Sequence, residues 1–255
     1  MPKITAQIIA KDEEEMLPAC LASLSWADEI LLVDSGSTDR TLEIARAAGC
    51  RVLTHAFEGF SAQFNWGIGQ AAHPWLFIVD ADEVVDPELA AAIRRLMASE
   101  PELEVYQVLR DAFFLGHRMR ASSWSGEPLP RLFRKGSLTY RGLVHPVADS
   151  GGRPLGKLPG RLLHYTYRDM AQYFRKFDLY TTLWAENAQA NGVRAGLPAI
   201  FLRSGWRFLH NYFIRGEILD GKYGLLTATL SVMYTFIKYI KLWGLRHGHS
   251  AGGGG

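Results

Sequence analysis

Residues 75–83 read Trp75-Leu76-Phe77-Ile78-Val79-Asp80-Ala81-Asp82-Glu83, an apolar run that stops at three acids. A short continuous apolar run ending so sharply predicts a strand buried on both faces. Upstream, Glu29–Asp34 (EILLVD) repeats the pattern and also ends on an aspartate. Ile4–Ala10 and Arg51–His55 give two more strands. Between them come stretches of helical spacing: Glu13–Ser25, with Met16, Leu17, Cys20, Leu21 and Leu24, and Thr41–Ala48, which ends at Gly49. Ser61–Ala72 and Pro87–Ser99 follow, the latter with proline in the first turn. Strand–helix alternation predicts an α/β fold with a mostly parallel central sheet and helices on both faces. Ligands of such sheets bind at the carboxyl ends of the strands, where Asp34 and Asp80 stand.

Beyond residue 104 the pattern loosens. Val105–Arg110, Arg131–Arg134 and Leu138–Arg141 read as short strands, and the glycines and prolines of 151–160 as a loop. From Asp169 onward the spacing is helical: Asp169–Asn191, Leu197–Leu219 and Lys222–Arg246. The domain reading is therefore 1–165 as one α/β domain, in halves 1–104 and 105–165. A helical region 166–247 follows, and then a glycine-ended tail, 248–255, expected to be disordered. Charge divides in the same sense: residues 1–104 carry a net −11 and residues 105–255 a net +13. The acidic part suits cations and the basic part phosphates or an anionic membrane. Two cysteines make no disulfide framework, and the start, MPKITAQIIAKDEEE, lacks the shape of a signal peptide. A cytoplasmic protein is expected. Tyr223–Ile237 is apolar for 15 residues, short of the roughly 20 that cross a bilayer, and Lys238 and Lys241 follow it. That helix either lies at a membrane surface or packs in the core.

Alternate residues of an extended chain share a face, so Asp80 and Asp82 can aim two carboxylates at one point. Such hard oxygen ligands suit Mg²⁺ or Mn²⁺, which keep further positions for water and phosphates. Acids that cap the helix beginning at Pro87 are the plain alternative. Asp34 heads a second run, Asp34-Ser35-Gly36-Ser37-Thr38-Asp39-Arg40-Thr41, and offers an acceptor for a base or ribose. In that run Asp39 caps the next helix.

QIIAKDEE, VDSGSTDRT and LFIVDADE, in this order and spacing, resemble the family 2 glycosyltransferases. SSWSGEPLPRLFRKG, YRGLVHP, LLHYTYRD and GEILDGKYGL extend the resemblance to the bacterial lipopolysaccharide-core subgroup with its β-1,4-glucosyltransferase-like members. The resemblance spans Ile4 to Leu245. It implies a GT-A fold, a nucleoside-diphosphate sugar donor with UDP-glucose favoured, and transfer with inversion to a surface glycan such as lipopolysaccharide core. It also implies a lipid-linked acceptor and a place on the inner face of the cytoplasmic membrane. Carried over residue by residue, Asp34 contacts the nucleoside, Asp80 reaches the ribose or the metal, and Asp82 binds the metal. Asp12 is placed at the base, and Asn65 near the nucleotide. Glu127, four residues before Arg131-Leu132-Phe133, stands where the subgroup has an aspartate and is the expected general base. Arg131, Arg134 and His145 are candidates for the diphosphate or the acceptor.

Two alternatives come with this reading. Phe64 stands where the family often has a basic residue and Pro146 where the subgroup often has glutamate, as a catalytically decayed membrane-surface module would allow. A nucleotidyltransferase also uses acids at strand ends with a metal, but Lys11-Asp12-Glu13-Glu14 makes a poor triphosphate loop. Nucleic acid is not an expected partner, since neither a basic helix nor an aromatic-studded sheet motif is present.

Overall fold

A computed structural model describes residues 2–121, 124–142, 146–167 and 169–247. The chain forms two compact units, one of residues 1–111 and 126–165 and one of 112–125 and 166–255. Segment 112–125, expected with the α/β part, belongs to the second unit.

The first unit holds strands β1 (Ile4–Ala10), β2 (Glu29–Asp34), β3 (Arg51–Thr54), β4 (Trp75–Asp80) and β5 (Glu83–Val85). Its helices are α1 (Leu17–Ser23), α2 (Thr41–Ala47), α3 (Phe60–Gln70) and α4 (Pro87–Ala98). The later strands are β6 (Val105–Phe114), β7 (His117–Arg118, in the second unit), β8 (Glu127–Arg134), β9 (Thr139–Arg141), β10 (Val147–Asp149) and β11 (Leu155–Tyr167). The main sheet runs β3-β2-β1-β4-β8-β6-β11-β5. Pairs β2–β3, β1–β2 and β1–β4 are parallel, whereas β8 joins β4 and β6 antiparallel and β5 joins β11 antiparallel. The expected parallel sheet is thus its first half, and the whole sheet is mixed. The expected loop at 151–160 shortens, because β11 already begins at Leu155.

Strand β4 shows why the sheet is covered twice. Trp75, Phe77 and Val79 pack into a core with Leu17, Leu21, Leu89 and Ile93 of α1 and α4. Leu76 and Ile78 pack into another with Phe64 and Ile68 of α3. Both sets are almost wholly buried, as the period of two requires. On the α3 side Gln7, fully buried, donates to the Phe64 carbonyl at 3.0 Å. A Cβ on Gly67 would stand 2.3 Å from the Gln7 amide nitrogen, so glycine is what lets α3 approach β1.

Glu29 ties three elements at the far edge of the sheet. Its carboxylate accepts from Thr5 Oγ1 at 2.5 Å, Arg51 Nε at 2.7 Å and the Ala72 N–H at 2.9 Å. Burial works to raise its pKa, but bonds from Thr5, Ala72 and Arg51 outweigh it and hold the carboxyl below its ordinary 4.5. A depressed folded-state value contributes stability above the unfolded value and loses it as pH falls through the folded one. Glu29→Gln should therefore cost about 1–3 kcal/mol in urea unfolding above pH 4.5. The gap from the wild type should close in acid; a gap independent of pH would refute the assignment.

The second unit holds helices α5 (Met170–Ala190), α6 (Leu197–Leu209) and α7 (Gly221–His247), with α7 packed on both others. The single helix expected over 197–219 breaks. A π-turn, His210–Ile214, follows α6, Gly216 turns left-handed at φ 79°, and a 3-10 turn, Glu217–Asp220, leads into α7. Lys241 of α7 donates to Asp178 Oδ1 at 2.7 Å and to the Thr181 and Thr182 hydroxyls on α5. Glu217–His247 is long and apolar enough to cross a membrane by length and composition, and little of its apolar stretch is buried. The tail 248–255, expected to be disordered, lies outside the described residues.

Candidate active site

β1 pairs with β2 on one side and β4 on the other, with Ala10 opposite Asp34 and Ile9 opposite Asp80. Asp34 and Asp80 therefore flank the carboxyl end of β1, on strands about 10 Å apart. The strand order reverses here, which in open α/β sheets leaves a crevice for ligands.

Asp34 is 1% exposed and accepts from the Gly36 N–H (2.9 Å), the Ser37 N–H (3.2 Å) and Ser37 Oγ (2.5 Å). Its oxygens fix the turn that follows β2, so what reaches the surface is the turn it shapes. Asp12, at φ 54°, accepts from the Thr38 N–H at 2.7 Å and donates its own N–H to Ser37 Oγ at 3.0 Å. Asp39 accepts from the N–H groups of Thr41 and Glu14, and the Arg40 N–H donates to Glu14. Asp39 thus takes up the first N–H of α2 from the residue before the N-cap position, Arg40. The loops after β1 and β2 are laced together by these bonds. Asn65 does otherwise: its amide bonds both the carbonyl and the N–H of Tyr140, at 2.8 and 2.9 Å, and holds β9 to α3. Its side-chain amide is thereby committed to the Tyr140 backbone.

Past Asp80 the chain turns at Ala81 and Asp82, so the backbone here is not the extended chain on which the shared face was expected. Asp80 accepts from Arg131 Nη2 at 2.9 Å, while Asp82 lies 3.4 Å from His164 Nε2 on β11. Helix capping falls instead to Asp86, which accepts from the Leu89 N–H at 2.7 Å. Neither Asp80 nor Asp82 is that cap.

Glu83 and Arg110 were given no role by the sequence. Glu83 is fully buried, accepts from Arg131 at 3.0 Å and from the Asp80 N–H at 2.9 Å, and lies 3.7 Å from Arg110. Arg110 donates to Glu127 Oε2 at 2.6 Å. The result is a row of alternating charge: Asp80, Arg131, Glu83, Arg110, Glu127. The β6–β8 register makes it. Arg110 stands opposite Glu127, and Arg131 is skipped where the register shifts between Tyr106 and Gln107. Bulges of this kind re-aim side chains beside functional sites. Burial drives the Glu83 carboxyl up while Arg131 pulls it back. Burial works against the charge on Arg131, and Glu83 and then Asp80 raise its pKa. The buried Tyr140 phenol is pushed up to about 12 by burial. Burial works to lower the His164 value, and Asp82 and then Glu83 outweigh it, a net rise.

Arg131 is only 7% exposed at its side chain and is held by two carboxylates, so it braces Asp80 rather than standing ready for phosphate. Arg134 pairs with Trp75 at the opposite end of β4, five residues or about 17 Å along the strand from Asp80. Its neighbour Lys135 bonds the Gly69 and Ala71 carbonyls at the end of α3. His145 lies outside the described residues. Glu127 opens β8 with its side chain 53% exposed.

Among the described residues no three His, Cys, Asp or Glu side chains gather closely enough to cage a metal alone. Asp82 with His164 offers one oxygen and one nitrogen. Mg²⁺ and Mn²⁺ fill the remainder from water and substrate phosphates, so this pair fits a cation shared with a diphosphate.

A model of the family described as Glycosyl transferase family 2 matches residues 5–153. The lipopolysaccharide core biosynthesis glycosyltransferase LpsC of Rhizobium meliloti is 29% identical over 95% of this chain and 93% of its own. An uncharacterized glycosyltransferase of Rickettsia typhi is 26% identical over 96% and 87%. Among solved structures, glucosyl-3-phosphoglycerate synthase from Mycobacterium tuberculosis, in complex with Mn²⁺, UDP-glucose and phosphoglyceric acid, is 20% identical over 43% of this chain and 44% of its own, with a TM-score of 0.38. The family match covers more than half of the chain, including every strand from β1 to β10, and the chain therefore belongs to glycosyl transferase family 2, is a glycosyltransferase and has the GT-A fold.

Proposed function

We propose that the protein moves a hexose, with inversion, from a nucleoside-diphosphate sugar to a bacterial surface glycan of the lipopolysaccharide-core class. UDP-glucose is the donor favoured by the motif resemblance. Similarity to LpsC over nearly the whole of both chains supports the acceptor class. We assign catalysis to the first unit. The observation that carries the reading is the row from Asp80 to Glu127 at the carboxyl edge of the sheet. It spans from the end of β4, beside the nucleotide edge, to an exposed carboxylate on β8.

In a single displacement the acceptor oxygen forms a bond to the anomeric carbon as the bond to the diphosphate breaks. The electron pair leaves with the nucleoside diphosphate, and the hydroxyl proton passes to the Glu127 carboxylate. Arg110 holds that carboxylate in place. Asp82 and His164 would hold a divalent cation, which neutralises charge on the departing diphosphate. Asp12 and the turn shaped by Asp34 would receive the nucleoside.

Asp82→Ala is expected to lower transfer about 10²- to 10³-fold, the scale of losing one preorganised electrostatic contact. It should also erase a Mn²⁺-dependent rise in melting temperature with UDP. Full activity and an unchanged UDP shift in this variant would sink the metal role.

A further inference from the structure

Of the large apolar side chains exposed among the described residues, all but three belong to the second unit, and they concentrate on α6 and the turn after it. This helix is inside out. It buries a narrow strip of Ile200 and Ser204, continued by Asn211. Its broad outer face shows Phe201 (62% exposed), Leu202 (74%), Trp206 (59%) and Leu209 (50%), with Phe213 and Ile214 beyond. A helix facing water alone carries polar residues there, and contiguous apolar surface of this kind marks an interaction site.

The charge around the face has one sign. No acid occurs between Glu186 and Glu217, while Arg194, Arg203, Arg207 and Arg215 do. The whole unit has 13 basic and 5 acidic residues, a net +8. Arg203 lies 4.9 Å from the centre of the Tyr239 ring, and Lys238 lies 5.6 Å from the same ring and 4.4 Å from that of Trp184. Arg207 is one turn along α6 from Arg203. No carboxylate among the described residues pairs with Arg203, Arg207 or Lys238. Burial, then Arg207 and Arg203, push the Lys238 ammonium down to about 8, as expected of cations lacking a counterion.

We propose that α6 and its following turn, 197–214, dock on a membrane leaflet rich in anionic lipid. The outer apolar face enters the boundary between headgroups and acyl chains, and Arg203, Arg207 and Lys238 collect lipid phosphates. Apolar aromatic and aliphatic residues edged by arginine are the composition of interfacial helices. A second copy of this chain is a poorer occupant, since it would set the same arginines against one another. The sequence left the last helix either at a membrane surface or in the core; in the structure α7 packs against both α5 and α6. Glu217, fully buried, accepts from Trp124 and Thr227, and Lys241 is bound to α5. The docking reading rests on the surface-glycan acceptor proposed above and deepens it by placing that acceptor at a lipid surface. Its test requires neither donor nor acceptor, so the two can fail separately.

The test is flotation of the full chain with vesicles of phosphatidylcholine alone or mixed with phosphatidylglycerol. Binding should require phosphatidylglycerol and weaken with salt. Arg203→Gln/Arg207→Gln should weaken it roughly 30-fold, at about a factor of five for each arginine near the surface. Leu202→Ser/Trp206→Ser should also release the protein, with circular dichroism and melting temperature confirming that both variants fold. Equal binding to neutral vesicles would overturn the proposal, as would retention after alkaline carbonate washing, the mark of a span through α7. A protein that ignores vesicles, whether as a monomer or as a dimer split by Leu202→Ser, would overturn it as well.

Discussion

Arg131→Met is expected to lower the unfolding free energy by about 3–5 kcal/mol, the cost of stranding one member of a buried ion pair. Glu83 has no exposure, and Arg131 is its nearest positive charge at 3.0 Å. Arg110 stands farther off, at 3.7 Å, and already serves Glu127, which places the loss toward the lower end of that range. The double variant Arg131→Met/Glu83→Gln should regain much of the stability, because no buried charge is then left alone. Urea midpoints at constant slope give the comparison. A single-variant loss under about 1 kcal/mol would show the pair to be dispensable and the brace on Asp80 to be weak.

The second large effect is on rate. Glu127→Gln should slow transfer about 10²- to 10⁴-fold, the range ascribed to one positioned acid or base. The amide keeps an oxygen for Arg110, so the local bond at 2.6 Å survives while the proton acceptor is lost. Donor affinity, read from the melting shift with UDP, should stay at the wild-type value. Rates within a few fold of wild type would move the search for a base to another carboxylate.

Much of the first unit could be read from the chain. The apolar runs 4–10, 29–34 and 75–80 are strands with those bounds, since buried parallel strands have no polar face to blur their ends. Helix α1 is shorter than its apolar spacing suggested, because Glu13 and Glu14 give their N–H groups to Thr41 and Asp39 across the loops. Asp34 and Asp80 reach the predicted edge. Arg134 lies beside Trp75, at the start of β4, a register that antiparallel pairing sets and local sequence does not. Glu83, Arg110 and His164 were not legible as partners. Their meeting depends on antiparallel pairing of β8 with β6 and of β11 with β5, which no local pattern encodes. Helix α6 was legible only in part: its start at Leu197 matches the spacing, the break after Leu209 does not, and spacing alone does not say which face is turned outward.

The bonds that lace the loops after β1 and β2 have a thermodynamic consequence. Loops at a ligand edge are ordinarily among the last segments to become ordered, and a ligand then loses affinity to their immobilisation. Here Asp12, Glu14, Ser37 and Asp39 take up that ordering when the chain folds. A ligand bound at this edge, such as the nucleoside of the donor proposed above, would meet a rigid rim and keep most of its contact energy as affinity. The same rim is a mutational unit: its members share partners, so their substitutions will not add, and loss of the first will already loosen what the others were holding.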